Sequence, residues 1–203
     1  DPLLSETMSS SPEISIVIPL YNEGTHERKT LETIRNTLDL MSATYEIVLV
    51  DDGSPDNTWN IIESEAKYYP ALRAVRLSRN FGKESALCAG LDLARGNAVI
   101  LMDGDLQHPP SLIPQMMQIY RESAVDIVEA VKTSRGDEHL LQKYGAKIFY
   151  SLMNYLTGFP LRGASDFKLM SRKALDAWRQ MEENTLFFRG MSAWLGFQRA
   201  QVE

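Results

Sequence analysis

Cysteine is almost absent from this 203-residue chain: Cys88 stands alone, which excludes an intrachain disulfide and any cysteine-built zinc site. No apolar run approaches the roughly 20 residues that a membrane helix needs, and no signal-peptide pattern precedes the first strand-like segment. Positive charge is not in excess. Lys and Arg total 21 against 27 Asp and Glu, a formal charge of −6, so there is no electrostatic ground for a nucleic-acid partner. Internal repeats and low-complexity linkers are missing too. What is there is ordinary: 44% hydrophobic and 24% charged residues, enough chain for one sizeable core and one soluble domain.

Strand and helix patterns alternate. Ile14–Pro19 is a short continuous apolar run, the mark of a parallel strand covered on both faces, and 46–50 (EIVLV), 72–77, 98–102 and 126–131 repeat it. Between them, helical spacing runs through Leu31, Ile34 and Leu38, through Trp59, Ile62 and Ala66 with Asp56 or Asn57 as cap, and over 83–95 with Gly96 as a C′ glycine. A fourth helix, capped by Ser111, runs through Ile113, Met117 and Tyr120. The first 130 residues therefore read as an α/β nucleotide-binding unit. The last 70 read as a substrate-specific portion packed on it: a long amphipathic helix over 140–157, an extended piece at 165–170 and a helix over 172–181. Residues 1–12 read as a flexible leader and 13–203 as a single catalytic domain. The chain stops on what reads as the start of a strand, so further chain is expected beyond it.

The densest chemistry lies in Met102-Asp103-Gly104-Asp105-Leu106-Gln107-His108-Pro109-Pro110. An apolar strand ends in two carboxylates at i and i+2, a costly arrangement unless a cation sits between them. A hard divalent ion, Mg²⁺ or Mn²⁺, suits such oxygen ligands, and strand carboxyl ends are where open α/β sheets bind ligands. Phosphohydrolases of the haloacid-dehalogenase type also place D-x-D after a strand. There it sits near the N-terminus and before Gly-Thr, whereas three strands precede it here and Leu106-Gln107 follows. Asp51-Asp52-Gly53-Ser54-Pro55 ends the second strand with paired acids that can accept from a ribose or base, or serve only as a strand-to-helix turn. Pro19, Tyr21 and Glu23 end the first strand with a ring and a carboxylate at the same edge. Arg79-Asn80-Phe81-Gly82-Lys83-Glu84 leads into a helix N-terminus suited to an anion, without the spacing of a Walker A loop, or serves only as a solvated basic turn.

Taken together, VIPLYNE (17–23), DDGSPDNT (51–58), RNFGKESALCAGLDLA (79–94), MDGDLQHPP (102–110) and SDFKLMSR (165–172) resemble, in this order, the family-2 inverting glycosyltransferases of GT-A fold. Within them the chain is most similar to the polyprenyl-phosphate hexosyltransferases, the group of bactoprenol glucosyltransferases and dolichyl-phosphate mannose synthases. The resemblance implies an α/β, mostly parallel, Rossmann-like sheet flanked by helices. It implies nucleotide-sugar contacts from Pro19, Tyr21, Glu23, Asp51, Asp52, Lys83, Asp103 and Gly104. Asp103, Asp105 and Gln107 would hold Mg²⁺ or Mn²⁺ against the diphosphate. Asp105, Asp166 and Arg135 would serve catalysis, and Arg135, Lys168 and Arg189 the acceptor phosphate. The family more often has Arg at the position of Lys168.

Further implications are a nucleotide-sugar donor, UDP-glucose ahead of GDP-mannose, and a polyprenyl-phosphate acceptor at a membrane surface. The full-length protein would sit on the cytoplasmic face, held by membrane helices after this domain, with homo-oligomerisation left open. The Q-x-x-R-W motif of processive, polysaccharide-extending members is absent. A transferase acting on a soluble acceptor, an aspartyl phosphohydrolase and a nucleotide sensor are the alternatives.

Overall fold

The computed structural model of the chain describes residues 11–24, 26–105, 108–131, 167–180 and 197–202. The first two apolar runs form β1 (Ile14–Leu20) and β2 (Tyr45–Asp51), paired in parallel from Ile14↔Tyr45 to Leu20↔Asp51. β3 (Leu72–Arg76) lies outside β2, and β4 (Ala98–Leu101) lies on the other side of β1, both parallel. With β5 (Ile127–Ala130), β6 (Lys168–Ser171) and β7 (Arg199–Val202) they make one seven-stranded sheet of order β3-β2-β1-β4-β6-β5-β7. Only β6 runs antiparallel to its neighbours. The chain winds outward from β1 to β3 and then returns to place β4 beside β1. That reversal is a topological switch point, and the crevice above it is where such sheets bind ligands.

The strands are apolar throughout because both faces are covered. Ile14, Ile16, Ile18 and Leu20 share one cluster with α1 (His26–Asp39), α2 (Thr58–Tyr68) and α4 (Ile113–Glu122). Val17, Val48, Val50, Val99 and Leu101 share the other with α3 (Lys83–Leu93) and α5 (Arg172–Arg179). α1 buries Leu31, Ile34 and Leu38 at helical spacing. Burying each such side chain is worth about 2 kcal/mol over leaving it exposed.

Several local expectations are corrected. α1 begins at His26, five residues before the first residue of the apolar spacing, Leu31, because its first turn is polar and carries no apolar periodicity. Asn57 occupies the N-cap position of α2 without a side-chain cap bond; the Asp56 carboxylate instead accepts from the Thr58 N–H at 3.0 Å and hydroxyl at 2.6 Å. Ser111 lies inside a 3₁₀ turn, Pro110–Leu112, and caps nothing by its side chain. Gly96 is not a left-handed C′ residue. It is where the chain passes β1 so closely that a Cβ would stand 2.6 Å from the Ser15 backbone nitrogen. The C-terminal portion does not simply pack on a finished α/β unit, because β6 and β7 are strands of the same sheet. Ser171 caps α5, its hydroxyl accepting from the Ala174 N–H at 3.0 Å. The leader up to residue 10 and the helix expected over 140–157 lie outside the described residues.

At the amino ends of the strands, opposite the switch point, Glu46 is buried at 3% exposure. Its carboxylate accepts from the Ser15 hydroxyl at 2.7 Å, the Arg95 N–H at 2.7 Å, and the Arg95 guanidinium at 3.1 and 3.0 Å. Arg73 adds an ion pair at 3.3 Å. Burial alone would raise the Glu46 pKa, but these donors outweigh it and hold the carboxyl below its ordinary range. On α3, burial followed by the charges of Glu84 and Asp92 pushes the Cys88 thiol up to about 11. Cys88 is therefore expected to react with iodoacetamide at neutral pH at least about tenfold more slowly in the native protein than in urea, as read by mass spectrometry.

Candidate functional site

The carboxyl ends of β1, β2 and β4 converge on a cleft of about 300 Å³. Pro19, Leu20, Tyr21 and Glu23 line it from β1, Asp52 from β2, and Asp103, Gly104 and Asp105 from β4. Asn80, Gly82 and Lys83 close it from the loop that begins α3. Of the residues singled out in sequence, Pro19, Tyr21, Glu23, Asp52, Lys83, Asp103, Gly104 and Asp105 thus meet at one place.

Backbone chemistry fixes this arrangement. Asp52 Oδ1 and Oδ2 accept the N–H groups of Phe81 and Gly82, each at 2.8 Å, so the second acid of the DDGS turn clamps the RNFG loop beside the cleft. Gly82 N–H also reaches Asn80 Oδ1 at 3.0 Å. Gly53 permits the clamp. Its φ is +68°, and a Cβ would lie 2.4 Å from the Arg79 carbonyl carbon, a backbone atom that cannot step aside. Gly53→Ala is therefore expected to displace the 79–82 loop and lower stability by about 1–3 kcal/mol. Thermal melting checks the effect.

The two-acid turn is held from both sides. The Thr30 hydroxyl on α1, buried at 4% exposure, donates to the Gly104 carbonyl at 3.0 Å. From α3, Lys83 Nζ lies 2.6 Å from Asp103 Oδ1. The His108 ring stands 5.5 Å from that of buried Phe167, which brings the residue after Asp166 beside the end of this loop. Tyr21 is 46% exposed at the mouth, so its ring is available for stacking.

Two expected contacts are placed differently. Asp51, expected at the nucleoside, is fully buried; it accepts from the Ser54 N–H at 3.0 Å and pairs with Arg76 at 3.1 Å. Arg76 in turn donates to the Ser54 carbonyl at 3.0 Å, so this acid shapes the turn rather than the cleft wall. Lys168, expected at the acceptor phosphate, has no exposed surface; its ammonium lies 3.6 Å from Glu129 on β5. Gln107, Arg135, Asp166 and Arg189 lie outside the described residues. Asn80, Leu20 and Thr30 were not singled out in sequence as site residues. Asn80 sat in a quoted motif, and Thr30 looked like one more position on a helix face.

For a divalent ion the turn after β4 offers the carboxylate oxygens of Asp103 and Asp105, and Glu23 and Asp52 line the same cleft. Among the described residues no group of three or more His, Cys, Asp or Glu is placed to hold a metal. This donor set still fits Mg²⁺ or Mn²⁺, which are bound through one or two carboxylates with substrate phosphates and water completing the shell.

Comparison with known proteins accords with this geometry. The sequence profile of "Glycosyl transferase family 2" matches residues 15–179. An uncharacterized glycosyltransferase of Synechocystis sp., sll0501, is 41% identical over 94% of this chain and 60% of its own length. The bactoprenol glucosyl transferase of Shigella phage SfV is 37% identical over 94% of this chain and 62% of its own. The chain thus spans about three-fifths of the length of these relatives. Among solved structures, the mannosyltransferase PcManGT from Pyrobaculum calidifontis in complex with GDP-Man and Mn²⁺ superposes with a TM-score of 0.63 at 18% identity, covering 96% of this chain and 55% of that one. The fold is that of the GT-A glycosyltransferases.

Proposed function

The chain belongs to glycosyl transferase family 2, and on that premise we propose that it is the catalytic domain of a metal-assisted, inverting hexosyltransferase. Its donor is a nucleotide sugar, UDP-glucose ahead of GDP-mannose, and its acceptor a polyprenyl phosphate. The observation that carries the reading is the convergence of Tyr21, Glu23, Asp52, Lys83, Asp103 and Asp105 on one cleft at the switch point of the sheet. The similarity to bactoprenol glucosyl transferases supports the lipid acceptor and the glucosyl donor.

The roles follow from chemistry. The Tyr21 ring stacks on the nucleobase, and Glu23 with Asp52 accepts from the nucleoside. Asp103 and Asp105 hold the divalent ion, which when bound neutralises charge on the leaving nucleoside diphosphate. Lys83 adds a cation for the same phosphates. An acceptor phosphate oxygen attacks the anomeric carbon, the bond from that carbon to the diphosphate breaks, and the configuration inverts. A phosphomonoester has its second pKa at about 6, so at neutral pH the acceptor is already a nucleophilic dianion and needs no general base. Asp166 is then an orienting residue, and Arg135 and Arg189 are acceptor-phosphate ligands.

The full-length protein would work at the cytoplasmic face of a membrane. No helix among the described residues is long and apolar enough to cross one. The test is transfer itself. With Mn²⁺ and a short-chain polyprenyl phosphate in detergent, radiolabelled UDP-glucose should yield organic-extractable, acid-labile label. Label that appears only on a soluble glycan, or as free sugar, would contradict the lipid-phosphate acceptor.

A further inference from the structure

We propose that Lys83 couples metal entry to donor binding: its ammonium holds Asp103 until a nucleoside diphosphate draws it away, and the divalent ion then takes its place on the carboxylate. This rests on the reading of the cleft as a metal and nucleotide site.

Three observations carry it. The first is the ion pair, with Lys83 Nζ 2.6 Å from Asp103 Oδ1. The side chains are 40% and 25% exposed, so the pair is open to exchange rather than sealed in the core. A divalent ion and an ammonium on one carboxylate would repel each other, because their like charges would stand within about 4 Å.

The second is anchorage. Lys83 is the first residue of α3, and the residue before it is fastened through its N–H to Asp52 at 2.8 Å and Asn80 at 3.0 Å. The backbone is therefore fixed while the four-carbon stem can carry its charge from one partner to another in the same cleft. The third is the sparse donor set. Glu23 and Asp52 line the same cleft, but among the described residues no three such groups are placed to hold a metal together, so the ion needs phosphate oxygens to complete its shell. A nucleoside diphosphate brings those oxygens and a new counter-charge for Lys83 in one event. Metal and nucleotide then favour each other's binding, and the coupling is the same read from either side.

The experiment measures Mn²⁺ binding by electron paramagnetic resonance, without nucleotide and with UDP or GDP, in the wild type, Lys83→Met and Lys83→Arg. The wild type should bind Mn²⁺ weakly alone and at least about tenfold more tightly with its nucleotide. Lys83→Met should bind Mn²⁺ alone about tenfold more tightly than the wild type, with the enhancement by nucleotide reduced at least about fivefold. Lys83→Arg should behave as the wild type. Lys83→Gln serves as a second neutral variant if circular dichroism shows Lys83→Met misfolded. Unchanged or weaker Mn²⁺ binding in the neutral variants, or an unchanged enhancement, would overturn the switch while leaving the site standing. No Mn²⁺ uptake by the folded wild type with either nucleotide would overturn the site reading and the switch with it.

Discussion

Asp105→Ala is expected to cut sugar transfer at least about a thousandfold while moving the melting temperature by no more than about 2 °C. Asp105 is exposed at the lip of the cleft, so the core does not feel its loss. Its carboxylate is half of the acid pair that we propose holds the divalent ion. Removing one group that stabilises developing negative charge in a preorganised site costs about 10²–10³ in turnover, and here the charge-neutralising ion is weakened with it. Asp105→Asn should recover little, since a neutral amide is a poor substitute for a carboxylate on a hard cation. Turnover with labelled donor, beside a melting curve, separates this outcome from simple unfolding. A variant within tenfold of the wild type would remove Asp105 from the reaction.

The second large effect is on stability and lies at the opposite end of the sheet. Glu46→Ala is expected to cost about 2–3 kcal/mol, because it removes a buried acid and its hydrogen bonds while the arginines it leaves, 34% and 58% exposed, can turn to water. For a chain of this size that lowers the melting temperature by roughly 5–10 °C. The loss strands the Ser15 hydroxyl and the Arg95 N–H, and it leaves Arg73 and Arg95 without their shared acid. The pH dependence has a definite sign. The folded-state pKa of Glu46 lies below its unfolded value, so its contribution is fully present above the unfolded pKa and is lost as pH falls through the folded one. The gap between wild type and Glu46→Gln, measured by urea unfolding, should therefore be widest at neutral pH and narrow below about pH 4.

Much of the scaffold was legible because parallel strands buried on both faces advertise themselves as short apolar runs, and β1 to β5 were each read to within about two residues. The reading was weakest where backbone contact, not side-chain pattern, decides. Gly96 reads as a helix stop, yet it is glycine because β1 passes within 2.6 Å of where its Cβ would be. Strand order was beyond reach for a related reason: β6 is only KLMS, and nothing in four residues says that it inserts antiparallel between β4 and β5.

At the cleft, the acids stand out in sequence by their place at strand ends and Lys83 by its place ahead of a helix, and the structure brings them to one lining. The division of labour between Asp51 and Asp52 was not, since neighbouring strand residues face opposite ways and only the structure shows which one the Phe81 and Gly82 amides reach. Thr30 was invisible because its partner, the Gly104 carbonyl, is 74 residues away.

The measurement that bears most directly on the whole account is calorimetric titration of the wild-type chain with UDP and with GDP, each with Mn²⁺ and with chelator. One nucleotide, UDP, is expected to bind with Mn²⁺ and to lose at least about tenfold in affinity when the metal is withdrawn. Binding of neither nucleotide to folded protein, or binding indifferent to metal, would contradict it.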